Sequence, residues 1–550
     1  MCRFLAAALA GVALVASVSA AGTRGRPVRP ALEKVSDAAY CYGLYPRGTP
    51  CPIQNGTFDQ LIDHDNPSLG TFKQRYWVNA EFYAGPGSPV VLTGPGEEAA
   101  DVMVWYTTNY TLDGTFAQEI KGASIVLEHR YWGESSPFDK MTTKNMRYLT
   151  LDNAMRDTIY FARNAKLPFD LDGSSHPDKA PWVFSGGSYP GALAGWINKL
   201  YPGTFWAYHA VSAVVQPIAD YWQYYAPIEA AMPRNCSKDM KLAIKYIDDR
   251  LSSGDQARKD ALKEKFGFPG LEDDDFGWAL ADGLQSWQGT QFTSKNIPLF
   301  QMCDYIEGVA GGGNGSSAAA PIPDENGVGK CAAAAGLARW FREVRVPGNC
   351  AKNWGSYWKG DHNTVACWDT HNMSSPFFTD RSVRNQWNLQ WQWMSCNEPF
   401  QQWQGSFPGD TGLVSRHVTT QSLRDQCERF FPDEDGYSYG LKRGRTTEQI
   451  VERTGGWNHV NSTRLVHVNG EYDPWLPESV SSNFRPGGPL KSTPEVPVFV
   501  VPKAAHCPDL VMANTLSNDA LHEITQNVIG IITSWVEDFY EEKGIPQPGF

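Results

Sequence analysis

Beyond its first twenty residues, the 550-residue chain has no run of about 18 unbroken apolar residues, the length a membrane-spanning helix needs. Clusters of basic residues are missing too. The 60 acidic and 48 basic side chains give a formal charge of -12, which works against binding to nucleic acid or to an anionic membrane. Among the eleven cysteines there is no closely spaced pair of the kind that holds zinc, so neither a metal nor another cofactor is expected. An acidic surface loses charge, and with it self-repulsion, as the pH falls. The composition is therefore compatible with an acidic working environment.

At the amino terminus, Arg3 precedes the apolar run Phe4 to Ala16 and then Val18-Ser19-Ala20. These are the parts of a secretory signal, cleaved after Ala20 or Ala21, and the mature protein should be secreted and soluble. Residues 1–20 read as the signal peptide. Residues 21–40, rich in Gly, Pro and Arg without periodicity, read as a mobile leader or short propeptide. Without Cys2, ten cysteines remain (41, 51, 236, 303, 331, 350, 367, 396, 427 and 507), enough for up to five disulfides in an oxidising compartment. Six Asn-x-Ser/Thr sequons, at Asn55, Asn109, Asn235, Asn314, Asn372 and Asn461, agree with a secreted glycoprotein.

From residue 41 an α/β pattern begins. Short apolar strands are expected at Pro89–Thr93, Ser124–Leu127, Trp182–Phe184 and near His209–Val215, with helices around Ala154–Ala162 and at Tyr189–Leu200. This strand–turn–helix order implies a parallel sheet. Residues 217–445 differ in texture, with amphipathic stretches such as Lys238–Leu251, many tryptophans and most of the cysteines. They read as an inserted helical cap. Within it, Ala310–Ala320 is a Gly/Ala/Ser surface loop, and Lys442-Arg443 reads as a solvated edge loop rather than a processing site. The α/β pattern resumes over 446–550, with strands at Thr463–Val468 and Val496–Val501 and a helix over 519–541. In that helix Ile524, Val528, Ile531, Ile532, Trp535 and Phe539 form a core-facing stripe. Residues 41–216 and 446–550 thus make one α/β-hydrolase domain, interrupted by the cap.

The chemistry centres on Phe184-Ser185-Gly186-Gly187-Ser188-Tyr189-Pro190-Gly191. A nucleophilic serine on a sharp strand-to-helix turn needs small neighbours, so that its hydroxyl stands clear and the next backbone N–H faces the reacting carbonyl. Pro190 stands where G-x-S-x-G has its second glycine, but proline suits the first turn of a helix. A plain glycine-rich turn is the other reading. In this architecture the acid and the base follow the serine, each at the carboxyl end of a strand. Asp473, in Asn469-Gly470-Glu471-Tyr472-Asp473-Pro474-Trp475, and His506, in Lys503-Ala504-Ala505-His506-Cys507, meet that requirement. His129 also ends a strand, but it precedes the serine. Tyr189 and either Gly96 or Glu97 would supply the oxyanion-hole N–H groups, unless Gly94–Gly96 is only a turn.

With Gly-Gly-Ser-Tyr-x-Gly, Asn-Gly-Glu-Tyr-Asp-Pro-Trp, Ala-His-Cys-Pro-Asp and Glu-His-Arg-Tyr-Trp-Gly-Glu-Ser present, the chain resembles the proline-specific serine peptidases typified by lysosomal prolyl carboxypeptidase and dipeptidyl peptidase II. Spacing and secretion look closest to the fungal acid prolyl endoproteases. The likeness spans about residues 50 to 540, and in the cap Trp393–Glu398 carries it best. It implies an α/β-hydrolase fold with a helical insert, Ser188, Asp473 and His506 as the triad, and Trp475 in a hydrophobic proline pocket. An aromatic slot suits a rigid apolar ring without an N–H, although Trp475 could equally be core packing. Two positions depart from the mammalian enzymes: Pro190 replaces a glycine and Cys507 a second histidine.

The expected activity is hydrolysis after proline in peptides or proteins, as an acid endopeptidase. A proline-specific carboxypeptidase or dipeptidyl peptidase is the alternative. A secreted esterase, a serine carboxypeptidase of the kind with Gly-Glu-Ser-Tyr at the elbow, and an inactive binding protein fit the motifs less well. Exopeptidases need a charged group to grip a chain terminus, and no motif in 217–445 identifies one. Oligomeric state and disulfide pairing are not legible.

Overall fold

The computed structural model describes residues 44, 51–170, 172–309, 323–400, 403–409 and 412–550. The signal peptide, the leader, Cys41, the Gly/Ala/Ser loop and Asn314 lie outside the described residues.

Eight strands form one sheet: β1 (Ile53–Leu61), β2 (Thr71–Asn79), β3 (Val90–Thr93), β4 (Ala123–Leu127), β5 (Trp182–Gly187), β6 (Ala207–Val211), β7 (Leu465–Gly470) and β8 (Val498–Val501). Their order is β1-β2-β4-β3-β5-β6-β7-β8. β2 runs antiparallel to β1 and β4, and every other pairing is parallel. This is the α/β-hydrolase fold with a helical cap.

Every residue of β3 and β4 is buried, as expected of strands covered on both faces. The two-residue period sorts them. Val90, Leu92, Trp182 and Phe184 pack with α2 (Leu151–Asn164) and α3 (Tyr189–Leu200), whereas Val91 and Val183 pack with α1 (Leu112–Glu119) and the helix Asp519–Lys543. From the expected stripe of that last helix, Val528, Ile532, Trp535 and Phe539 are buried, and Ile524 and Ile531 are half-buried.

The helix at Tyr189–Leu200 matches the sequence reading, but two details correct it. The strand expected near His209–Val215 is Ala207–Val211, because Ser212 takes a positive φ of 48° and turns the chain out of the sheet. The β1–β2 hairpin was not anticipated. Its connection is a loop over 62–70 with a short 3-10 turn, not a two-residue turn with a sequence signature.

Between β6 and β7 the chain is helical, from Tyr225–Ala231 to Thr447–Thr454. Disulfides Cys236–Cys303, Cys350–Cys367 and Cys396–Cys427 cross-link this stretch, and Cys51 and Cys331 are disulfide-bonded as well. The expectation that all ten cysteines could pair is corrected at Cys507, a free thiol packed against Gly187.

Candidate active site

β5 delivers Ser188 at its carboxyl end with φ 62° and ψ -123°, a conformation that side-chain-bearing residues adopt only when their surroundings impose it. The neighbours impose it here. A Cβ on Gly186 would lie 2.5 Å from the Pro190 carbonyl carbon, and one on Gly187 would lie 2.6 Å from Leu510 Cδ1. Ser188 N–H donates to the Val211 carbonyl (2.8 Å), which fixes the turn to β6, and the Ser188 side chain caps no helix N–H. Tyr189 opens α3, so its N–H belongs to the helix amino terminus, where negative charge is stabilised.

Asp473 and His506 follow β7 and β8. The Asp473 carboxylate is fully buried and lies 2.9 and 3.0 Å from His506 Nδ1. It is oriented by the Trp475 N–H at 2.9 Å. A Cβ on Gly470 would collide with the Ala505 carbonyl, so glycine is what lets the two loops close together. Gln291, from the helical insert, donates to the His506 carbonyl (3.0 Å). The other ring nitrogen, Nε2, is buried and has no hydrogen-bond partner among the described residues. Burial opposes protonation of this imidazole, but the Asp473 carboxylate outweighs it and holds the pKa well above the usual histidine value.

Gly96 lies on the turn after β3. A Cβ placed there would be 3.8 Å from Pro190 Cγ, so this turn borders the elbow. The turn is held from the cap: Asn388, left-handed at φ 59°, donates through Nδ2 to the Glu97 carbonyl (3.0 Å) and accepts the Trp132 indole N–H (2.9 Å). Desolvation lifts the Glu97 carboxyl to about 7; Glu98 pushes the same way and His506 opposes it.

Trp475 is 7% exposed. Its ring stacks on Tyr221 at 5.4 Å and meets Tyr224 edge-on at 5.3 Å, and the Tyr221 hydroxyl donates to the Pro474 carbonyl (2.8 Å). The three rings form an aromatic wall two residues from Asp473. The sequence reading missed Tyr221, Tyr224 and Asn388. The aromatic run Tyr221-Trp222-Gln223-Tyr224-Tyr225 was a usable signal for the first two. Nothing local distinguished Asn388.

The rival His129 is occupied on both sides, by the Arg130 carbonyl at Nδ1 (2.8 Å) and by the Tyr189 hydroxyl at Nε2 (2.9 Å). Burial lowers its pKa to about 4. Among the sequons, Asn55, Asn109, Asn372 and Asn461 are exposed, and Asn235 is half-buried and donates to Glu307. One trio among the described residues, Asp274, Asp275 and His371, brings possible metal-ligand atoms within 4.8 Å of one another. Its groups already bond one another or Thr370.

The sequence model of a family described as serine carboxypeptidase S28 matches residues 60–528. Similar curated proteins include serine protease vicPa of Bipolaris victoriae (strain FI3), 39% identical over 503 residues, which cover 91% of this chain and 92% of that protein. Serine protease vicPb of the same fungus is 38% identical, covering 91% of this chain and 92% of the relative. A probable extracellular serine carboxypeptidase of Arthroderma benhamiae (strain ATCC MYA-4681 / CBS 112371) is 26% identical, covering 79% of this chain and 59% of its own length.

Proposed function

The chain belongs to the serine carboxypeptidase S28 family and is a serine-type peptidase; from that premise we propose that it is a secreted endopeptidase that cleaves on the carboxyl side of proline. In this reading Ser188 Oγ attacks the proline carbonyl carbon while His506 Nε2 takes the hydroxyl proton. Asp473 holds Nδ1–H and stabilises the imidazolium that forms. The N–H groups of Tyr189 and of Gly96 or Glu97 would receive the oxyanion. His506 returns its proton to the leaving amine, and water then hydrolyses the acyl-enzyme by the same steps in reverse order.

The observation that carries the proline preference is the wall of Trp475, Tyr221 and Tyr224 beside Asp473. The Trp475 ring, backed by the buried Tyr221 and Tyr224, would give a pyrrolidine ring a flat apolar contact, and proline brings no N–H that would need a buried partner. The Asp473 carboxylate on Nδ1 of His506 supports a working base over an inactive binding protein. The similarity to a probable extracellular serine carboxypeptidase of Arthroderma benhamiae supports secretion, as do the exposed sequons and the disulfides.

An internally quenched peptide with one central proline, blocked at both ends, tests the reading across pH 3 to 8. The expected result is cleavage after proline that Ser188→Ala abolishes. If the blocked peptide resists while free-ended ones are cut, the enzyme is an exopeptidase.

A further inference from the structure

A second serine lies three residues before Ser188, in a network of its own. Thr93, Ser185 and His209 are register partners on β3, β5 and β6, so they form one row across the sheet. The rows beside them on this face are apolar: Val91 and Val183, then Val211 and Val468. The row is polar, and each of its hydrogen bonds stays inside the protein. Thr93 donates to Asp113 Oδ2 (2.6 Å) and Ser185 to Asp113 Oδ1 (2.5 Å). Ser185 Oγ lies 2.9 Å from His209 Nδ1, and His209 Nε2 lies 3.1 Å from Asp509 Oδ2. Ser185, His209 and Asp509 are 0% exposed and Asp113 is 1% exposed. The Phe116 ring stands edge-on to His209 at 5.4 Å and closes that side.

No substrate can reach this serine, so the network does not catalyse. Its geometry shows what it holds. Asp509 is three residues after His506 on the same loop, and that loop is held a second time just past the end of β6, through Cys507 N–H to Ser212 Oγ (2.9 Å). The strand that receives the loop, β6, also accepts the Ser188 N–H at Val211. We propose that His209, bonded to Ser185 on one side and Asp509 on the other, is a positioning residue that fixes His506 relative to Ser188; the proposal rests on the reading of those two as base and nucleophile.

The proton count agrees with a positioning role. With the Ser185 hydroxyl donating to Asp113, His209 carries protons on both nitrogens and pairs with an ionised Asp509. With the protons shifted one place, Asp113 is protonated and donates to Ser185, Ser185 donates to Nδ1, and neutral His209 still donates to Asp509. Both arrangements hold the same number of protons and the same net charge, so the bond to the His506 loop survives either way. Burial raises the Asp113 pKa, and the hydrogen bonds from Ser185 and Thr93 oppose it. The titratable groups facing His209 are Asp113, Asp509 and the buried His467; those facing His506 are Asp473, Cys507 and Glu97.

The test compares His209→Phe, His209→Gln and Ser185→Ala in the full chain, with kcat and KM measured across pH and active sites titrated covalently. Phe fills the space but makes neither bond. Gln can accept from Ser185 and donate to Asp509. His209→Phe should lower kcat per titrated site by about tenfold or more with little change in KM, as expected when a reacting group is displaced by a fraction of an ångström. It should also move the acid limb of kcat/KM to lower pH, because a loosened loop weakens the His506–Asp473 bond that raises the His506 pKa. Gln should restore both. Should the Phe variant fail to fold, Ser185→Ala, a small change, should show the same shift in weaker form. An unmoved acid limb and unchanged kcat per site in the folded variants would overturn the proposal. Ser188→Ala run alongside separates the two ideas: activity surviving in it would sink the nucleophile reading itself.

Discussion

Asn388 of the cap donates its side-chain amide to the Glu97 carbonyl at 3.0 Å and thereby holds, from 291 residues away, the turn that borders the Ser188 elbow. The same side chain accepts the Trp132 indole N–H, so cap and sheet meet through one residue. If this turn supplies an oxyanion-hole N–H, Asn388→Gly should lower kcat by about tenfold with KM nearly unchanged, less than the loss from deleting such a donor outright. Glycine is the right replacement because position 388 is left-handed, so backbone strain does not confound the result. Steady-state kinetics on a post-proline substrate checks this, and an equal change in kcat and KM would point to the substrate pocket instead.

Trp475 should carry specificity and stability together. Trp475→Ala should reduce the preference for proline over alanine before the scissile bond by about 10- to 100-fold. Because the ring packs on Tyr221 and Tyr224, it should also cost about 3–5 kcal/mol of stability. Trp475→Phe should keep most of both. Paired substrates and thermal melts measure the two effects, and a destabilised variant with intact proline preference would make Trp475 core packing only.

Cys507→His bears on the working pH. Burial keeps the Cys507 thiol pKa above its usual value, so at acidic pH the neighbour of His506 is a neutral thiol. A protonated histidine there would repel the protonated base and lower the His506 pKa, which Asp473 otherwise holds high. The acid limb of kcat/KM should then move to lower pH. A profile identical to wild type would remove Cys507 from the account. In the wild type, the raised His506 pKa predicts that kcat/KM falls toward low pH sooner than the surface charge alone would suggest.

Stability should tilt toward acid at the Glu307 site. Burial and the neighbouring Asp239 raise the Glu307 pKa to about 7, above its unfolded value near 4.5. The folded state therefore binds the proton more tightly, and the stability this group contributes is present at low pH and lost as the pH rises from about 4.5 through 7. Burial lowers the pKa of His459 to about 4, which acts in the opposite sense, losing stability as the pH falls from about 6.5 to 4. Glu307→Gln, which mimics the protonated acid, should lose less Tm than wild type between pH 5 and 7.5. Equal slopes in the two melting series would show that Glu307 is ionised in the fold.

The elements that could be read from sequence are those whose signal is local. The helix at Tyr189–Leu200, the fully apolar strands and the polar ends carrying Asp473 and His506 each announce themselves within a few residues. The β1–β2 hairpin did not, because its long connection has no turn signature. The register of β6 slipped because the chain leaves the sheet at Ser212 by a backbone turn that an apolar pattern does not record. The Ser185–His209–Asp509 network and the hold of Asn388 on Glu97 join residues hundreds of positions apart, and only folding brings them together.

The central claim is that Ser188, driven by His506 and Asp473, forms the acyl-enzyme in cleavage after proline. The most direct measurement is covalent capture: a peptidyl-proline aryl phosphonate incubated with wild type, Ser188→Ala and His506→Ala, followed by peptide mapping by mass spectrometry. The account predicts a single adduct on Ser188 in wild type, none in Ser188→Ala, and strongly slowed labelling in His506→Ala. An adduct on another residue, or labelling undiminished in Ser188→Ala, would contradict it.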